Sequence, residues 1–251
     1  MTEILYGIHP VFEAIEARRR DITRLHVSTG KHSRRIEQLV ATAEQRGIRM
    51  TRTGPDRLTA LSGTSRHQGV CASATMFPYD DFADLLKAPF AEKTPPFWLV
   101  LDSIQDPHNL GALIRTARCV GIHAVVLPKD RSASATPAVS KASAGALEHC
   151  RVTRVTNVSR TLTAMQENGM WIVGLDSQAP GELFQADLTG SLALVVGGEE
   201  RGIRRLVKQH CDYVLAIPQV GPVGSLNASV AGGLAMYEVY RQRHQMFQKP
   251  V

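Results

Sequence analysis

Four cysteines in 251 residues, with no two at Cys-x-x-Cys spacing, leave little from which to build a disulfide frame or a zinc site. Cys71, Cys119, Cys150 and Cys211 are expected as reduced thiols, mostly in the core, and no metal is expected. Apolar runs long enough to span a bilayer are also missing, so no membrane segment is expected. The opening Met1–Tyr6 has neither the basic nor the apolar stretch of a secretion signal, which points to a cytoplasmic location. There is no Gly-x-Gly-x-x-Gly, no Walker loop and no Gly-x-Ser-x-Gly. Those absences count against dinucleotide binding, nucleoside-triphosphate binding and serine-hydrolase chemistry.

What the chain does have is positive charge in one place. The formal net charge is +6, and residues 1–70 hold 12 Lys/Arg against 7 Asp/Glu. A small basic region is attracted to a polyanion, because each neutralised phosphate releases counterions.

The order of elements suggests two domains. In the first, a helix is expected after His9-Pro10, with Val11, Phe12 and Ile15 on one face. Leu25 and Val27 alternate with polar neighbours as in a half-buried strand, and Ile36, Leu39, Val40 and Ala43 recur at helical spacing up to Gly47. Ile48 and Met50, then Gly69–Ala72, read as short strands. Residues 1–75 thus form a small α/β unit, and residues 76–96, with Pro78, Pro89, Pro95 and Pro96, form a linker.

From residue 97 to 251 apolar strands alternate with helices. Strands are expected at Phe97–Leu101, Ala124–Leu127, Trp171–Leu175, Leu192–Val196 and Tyr213–Ile217, with a last helix from about Leu226 to Arg243. Trp98 and Trp171 are expected in the core. Continuous apolar strands indicate a parallel sheet covered on both faces, and ligands in such sheets bind beyond the carboxyl ends of the strands.

Three polar loops follow three of these strands. The first, Asp102–Gly111, contains Pro107 and Asn109, with Asn109 expected to cap a helix that carries Arg115. The second, Gly197-Gly198-Glu199-Glu200-Arg201-Gly202, puts a glycine pair directly after a buried strand, where a ligand can touch backbone. The third runs from Pro218 to Ser225-Leu226-Asn227 and opens into an apolar helix. Each loop alone reads as ordinary structure. Together they bring Asn109, Arg115, Glu199, Ser225 and Asn227 toward one cleft.

These same residues carry a resemblance. Asp106-Pro107-His108-Asn109-Leu110-Gly111 with Arg115-Thr116-Ala117 resembles the first motif of the SpoU/TrmH branch of SPOUT methyltransferases. Val196-Gly197-Gly198-Glu199 with Gly202 is similar to the second motif, and Ile217-Pro218 with Ser225–Ala231 to the third. Outside the motifs, Tyr6–His9, His67-Gln68-Gly69 and Val125–Ser132 look like the two-domain members. Gln219 and Ala228 depart from the commoner methionine and valine.

The resemblance implies an L30e-like RNA-binding front domain and a catalytic domain with a deep trefoil knot that dimerises through that domain. It implies S-adenosylmethionine as methyl donor, S-adenosylhomocysteine as product, and no metal. The cofactor residues it implies are Gly197, Gly198, Ile217 and Leu226. The implied substrate is a guanosine ribose 2′-hydroxyl in the peptidyl-transferase region of large-subunit ribosomal RNA. Two rival readings are a transfer-RNA ribose methyltransferase and a non-catalytic RNA-binding assembly factor. The separate basic front domain favours ribosomal RNA, and the intact motifs favour catalysis.

Overall fold

In the computed structural model the described residues are 2–30, 33–88, 94–220 and 224–247. The chain divides into two compact units. One holds the residues up to Pro78 together with Ala135–His149; the other holds Tyr79–Ser134 and the chain from Cys150 onward.

The first unit begins with β1 (Thr2–Tyr6), a strand with no counterpart among the sequence expectations. Helix α1 (Ile8–Ala17) starts three residues earlier than expected and takes Pro10 into its first turn, where a missing N–H costs nothing. Then come β2 (Ile22–Ser28), α2 (Arg34–Gln45), β3 (Met50–Thr53), α3 (Pro55–Ser62) and β4 (Val70–Thr75). The sheet order is β1-β4-β2-β3, with β4 antiparallel to both neighbours and β3 parallel to β2. Leu5, Leu25, Val27, Val70 and Ala72 from the strands meet Val11, Ile15, Ile36 and Leu39 from the helices in one core. Gly47, at φ 66°, ends α2 in the left-handed geometry that suits glycine.

The chain then enters the second unit with α4 (Phe82–Lys87), β5 (Phe97–Asp102), α5 (Pro107–Cys119) and β6 (Ala124–Pro128). The linker residues 89–93 lie outside the described residues. Next, α6 (Pro137–Ala142) and the turn Ala146–His149 belong to the first unit. There the fully buried Glu148 receives Arg20 Nε at 2.8 Å and Ser140 Oγ at 2.7 Å, and Arg20 also pairs with Glu3.

The second unit resumes with β7 (Val152–Val155), α7 (Val158–Glu167), β8 (Trp171–Leu175), β9 (Gly181–Glu182), β10 (Leu192–Gly197), α8 (Arg205–Lys208), β11 (Tyr213–Ala216) and α9 (Ala228–Phe247). Seven strands form one sheet in the order β7-β6-β5-β10-β8-β11-β9, every neighbouring pair parallel. β5 and β10 are buried at every residue, which is why they read as unbroken apolar runs. β7 and β9 escaped the sequence reading: one mixes Thr153 and Arg154 with its valines, and the other has two residues.

Two expectations need correction. Trp171 is half exposed rather than core, because it begins β8 at the sheet margin and leans on Tyr213, ring centroids 5.5 Å apart. Asn109 is not the cap of α5. Asp106 is, its carboxylate accepting from His108 N at 2.8 Å, with Pro107 at the first helical position. The final helix also starts at Ala228, two residues later than expected.

From β5 the sheet grows outward through β6 and β7. It then returns to place β10 on the other side of β5. The carboxyl ends of β5 and β10 therefore flank the point where the winding reverses, which is where open parallel sheets bind ligands.

Candidate active site

A cavity of about 460 Å3 opens at the carboxyl ends of β8, β10 and β11. That is within the range of pockets that enclose small-molecule cofactors. Leu175, Val196, Leu215, Ile217 and Leu226 give it apolar walls, and Asp176, Glu199 and Ser225 give it polar ones. An adenosine-bearing ligand needs this mixture: an apolar slot for the base and a few directed polar groups for the rest.

Backbone proximity shapes the second loop. A Cβ on Gly197 would lie 2.0 Å from the carbonyl carbon of Gly202, and one on Gly198 would lie 2.5 Å from the Ser103 oxygen. No side chain fits at either position, so the main chain itself forms this wall. Gly202 N donates to Gly198 O at 2.9 Å, closing the loop on itself.

Apart from Arg115, the candidate residues fall into three groups. Gly197, Gly198, Glu199, Ile217, Ser225 and Leu226 line the cavity directly. Asn109 joins them at the edge, its side-chain amide donating to the Glu199 carboxylate and tying α5 to the second loop. Asn227 turns the other way. Its Oδ1 accepts from Ser229 N at 2.8 Å and caps α9, so it shapes the third loop without facing the cavity. Residues 221–223 of that loop lie outside the described residues.

Arg115 sits two turns into α5 and is exposed, with no hydrogen-bond or ion-pair partner among the described residues. Helix α5 is fixed by close packing against α9. A Cβ on Gly232 would meet Leu113 Cδ2 at 2.4 Å, so any larger residue there would push the Leu113 side chain aside.

Two charged pairs were not foreseen. Asp102, fully buried at the end of β5, accepts from Arg204 N at 2.9 Å and Arg204 Nε at 2.7 Å. Its carbonyl accepts from Gly198 N at 3.0 Å, so one residue holds both the second loop and the arginine after it. Asp176 lines the cavity and accepts from Lys208 Nζ at 2.5 Å. Burial would raise the Asp176 carboxyl, but the bond from Lys208, the N–H of Gln178 and the lysine charge hold it below its usual value. A carboxylate ending a buried strand is a readable signal; the partner of each was not, since both lie distant in sequence. Cys211 is pushed up to about 12 by burial and by the charges of Asp212 and Asp102, so it is an inert thiol.

Similar proteins match nearly the whole chain. A family described as SpoU rRNA Methylase matches residues 96–237, and one described as RNA 2′-O ribose methyltransferase substrate binding matches residues 4–80. The chain is 41% identical over 242 residues to a putative TrmH family tRNA/rRNA methyltransferase, YacO, of Bacillus subtilis, covering 96% of each. It is 39% identical over 246 residues to the 23S rRNA (guanosine-2′-O-)-methyltransferase RlmB of Escherichia coli K12, covering 97% of this chain and 100% of that one. Among solved structures, the SpoU methyltransferase AviRb of Streptomyces viridochromogenes, in complex with AdoMet, superposes with a TM-score of 0.80 at 25% identity. That match covers 97% of this chain and 91% of AviRb. The fold, the three loops in order and these matches agree, and the chain belongs to the SpoU rRNA methylase family.

Proposed function

We propose that this protein transfers a methyl group from S-adenosylmethionine to the ribose 2′-hydroxyl of one guanosine in large-subunit ribosomal RNA. The observation that carries the reading is the cavity at the ends of β8, β10 and β11, walled by main chain at Gly197 and Gly198 and edged by the Asn109–Glu199 pair. Relatives near 40% identity over the full length bear names stating this reaction.

The residues present suit the cofactor. Gly197, Gly198, Ile217 and Leu226 would hold it, largely through backbone groups and apolar contact. When bound, it supplies an electrophilic methyl group on a sulfonium. The protein must then bring a ribose oxygen into line and ease the departure of its proton. An arginine stays charged in proteins, so Arg115 is poorly suited to take that proton. Its part is to bind the phosphate beside the target ribose and to stabilise negative charge developing on the 2′-oxygen. Asn109 and Glu199 position α5 against the second loop, Ser225 forms part of the pocket wall, and Asn227 holds the third loop through its cap.

The same reading includes a homodimer, a trefoil knot in the catalytic domain and a cytoplasmic location. No helix among the described residues is long and apolar enough to cross a membrane. Val230, Leu234 and Tyr237 on α9 are each about half exposed at helical spacing, an apolar face suited to a second copy. The basic residues 1–75 are the RNA-gripping domain and 97–251 the catalytic one, except that Ala135–His149 packs with the first unit.

The test is incubation with tritiated S-adenosylmethionine and ribosomal RNA from cells lacking the modification, followed by mapping of the label. Label on one guanosine ribose of the large-subunit RNA is expected. Label on transfer RNA alone would keep the chemistry and overturn the substrate. Tight RNA binding with no label on either would favour a non-catalytic assembly factor.

A further inference from the structure

The segment Val125–Ser132 contributes nothing to the cofactor cavity, yet it ends in Lys129-Asp130-Arg131-Ser132 at the carboxyl end of β6. This loop is stitched to the loop that leads into α5. Ser132 Oγ and Ala133 N both donate to Ile104 O, at 3.1 and 2.8 Å. Arg131, immediately before them, is exposed and held at φ 56°, a left-handed geometry uncommon for a long side chain. On its other side the loop is joined to β7, through Lys129 N to Val155 O at 2.9 Å and Arg154 Nη2 to Lys129 O at 2.5 Å.

Two cavities of about 380 and 490 Å3 lie beside this loop and share Thr156 and Arg204; the smaller is polar, and the larger adds Val158, Leu206 and Val207 to its polar groups. Arg131, Arg204 and Arg205 line them, against one carboxylate, Asp130. Arg204 is locked onto Asp102, so it forms a fixed wall. Arg131 and Arg205 are exposed, with no acidic partner among the described residues. Asp102 is also where this groove meets the active site. Its carboxylate holds Arg204 on the groove side, and its carbonyl holds Gly198 on the cofactor side.

We propose that this groove is a track for the RNA strand flanking the target nucleotide, with Arg131 and Arg205 each binding a backbone phosphate. The guanidiniums are spread along two joined cavities instead of converging on one point, which suits a chain of phosphates better than a single free anion. Beside its apolar residues the lining offers hydroxyls and guanidiniums with no aromatic platform, so the track reads backbone and leaves base recognition elsewhere. The proposal rests on the RNA methyltransferase reading above and adds where the strand runs.

The experiment compares the full-length parent with Arg131→Gln/Arg205→Gln in methyl transfer to the same ribosomal RNA, over a range of RNA and salt concentrations. The KM for RNA is expected to rise on the order of tenfold, with kcat and S-adenosylmethionine affinity within about twofold of the parent. The slope of log affinity against log salt should shrink by about 0.7 for each phosphate no longer neutralised. Each single variant should carry about half of the slope change, so a folding defect in one does not decide the matter. Arg131→Lys/Arg205→Lys should recover most of the affinity. An unchanged RNA KM and salt slope in an active double variant would overturn the track while leaving the methyltransferase reading intact. A parent that methylates no RNA would overturn that reading, and the track with it.

Discussion

Arg204 Nε lies 2.7 Å from Asp102 Oδ1, and Arg204 Nη2 lies 2.6 Å from the same oxygen, joining the loop after β10 to the end of β5. The two partners differ in exposure: the aspartate side chain is fully buried and the arginine side chain is 42% exposed. Removing the arginine strands a buried negative charge; neutralising the aspartate strands none. Arg204→Ala should therefore destabilise by about 3–5 kcal/mol, and Asp102→Asn by about 1–3 kcal/mol. Adding Asp102→Asn to Arg204→Ala should recover part of the loss. Urea denaturation of the three variants measures it. Equal losses in the two single variants would show that water reaches Asp102.

Arg115 is a separate case, because nothing among the described residues holds its side chain in the free protein. Its loss should leave stability alone and strike the chemical step. Arg115→Ala should lower the single-turnover rate by about 10²–10³-fold, as for loss of one oxyanion donor. Arg115→Lys keeps the charge but not the planar fork, and should recover only a small part. Cofactor affinity by calorimetry should not move. Parent-like turnover in Arg115→Lys would show that the guanidinium geometry is not needed.

The Asn109–Glu199 bond predicts a coupling. Asn109→Ala and Glu199→Ala each break the same link between α5 and the second loop, so their effects on the methyl-transfer rate should not add. The double variant is expected within about 0.5 kcal/mol of the worse single one in transition-state free energy. Full additivity in the rate would mean that the two residues act on different things.

How much of this was legible beforehand depends on distance along the chain. The central strands of the catalytic sheet were readable because burial on both faces leaves an unbroken apolar run, as in Phe97–Leu101 and Leu192–Val196, and β11 was readable because its four residues are all apolar. The short β7 was not, since Arg154 and Thr153 break its run. Trp171 misled because an apolar strand position says nothing about whether its end of the strand is covered. Cap choice failed locally: Asp106 and Asn109 are both good caps, and Pro107 at the first helical position decides between them. The glycine pair was recognisable as a backbone wall, but its closeness to Ser103 and Gly202 needed the fold.

Asp176 makes a prediction in pH. Its folded-state pKa is held below the ordinary 3.8, because the bonds from Lys208 and Gln178 N outweigh burial. A depressed carboxyl contributes stability that is fully present above its unfolded value and lost as pH falls through the folded one. Parent and Asp176→Asn should therefore differ in urea midpoint by a constant amount at neutral pH. The two curves should converge below about pH 3.8. A gap that persists at lower pH would mean that Asp176 acts through packing instead of charge.

Glu148 makes the remaining prediction, and it concerns the first unit. The residue lies in the chain between β6 and β7, yet its buried carboxylate is the partner of Arg20 and Ser140, with Arg20 also on Glu3. Breaking such a pair leaves Arg20, itself almost fully buried, without its main counter-charge. Glu148→Ala should then cost about 3–5 kcal/mol, and the loss should be confined to the unit the pair stabilises. Hydrogen exchange should quicken in β1 and α1 and stay at the parent rate in β5 and β10. Replacing all three ions together, as Glu3→Leu/Arg20→Met/Glu148→Leu, should restore most of the stability, because matched apolar groups avoid the desolvation cost and strand no charge. Faster exchange in β5 and β10 with Glu148→Ala would show that the two units unfold as one.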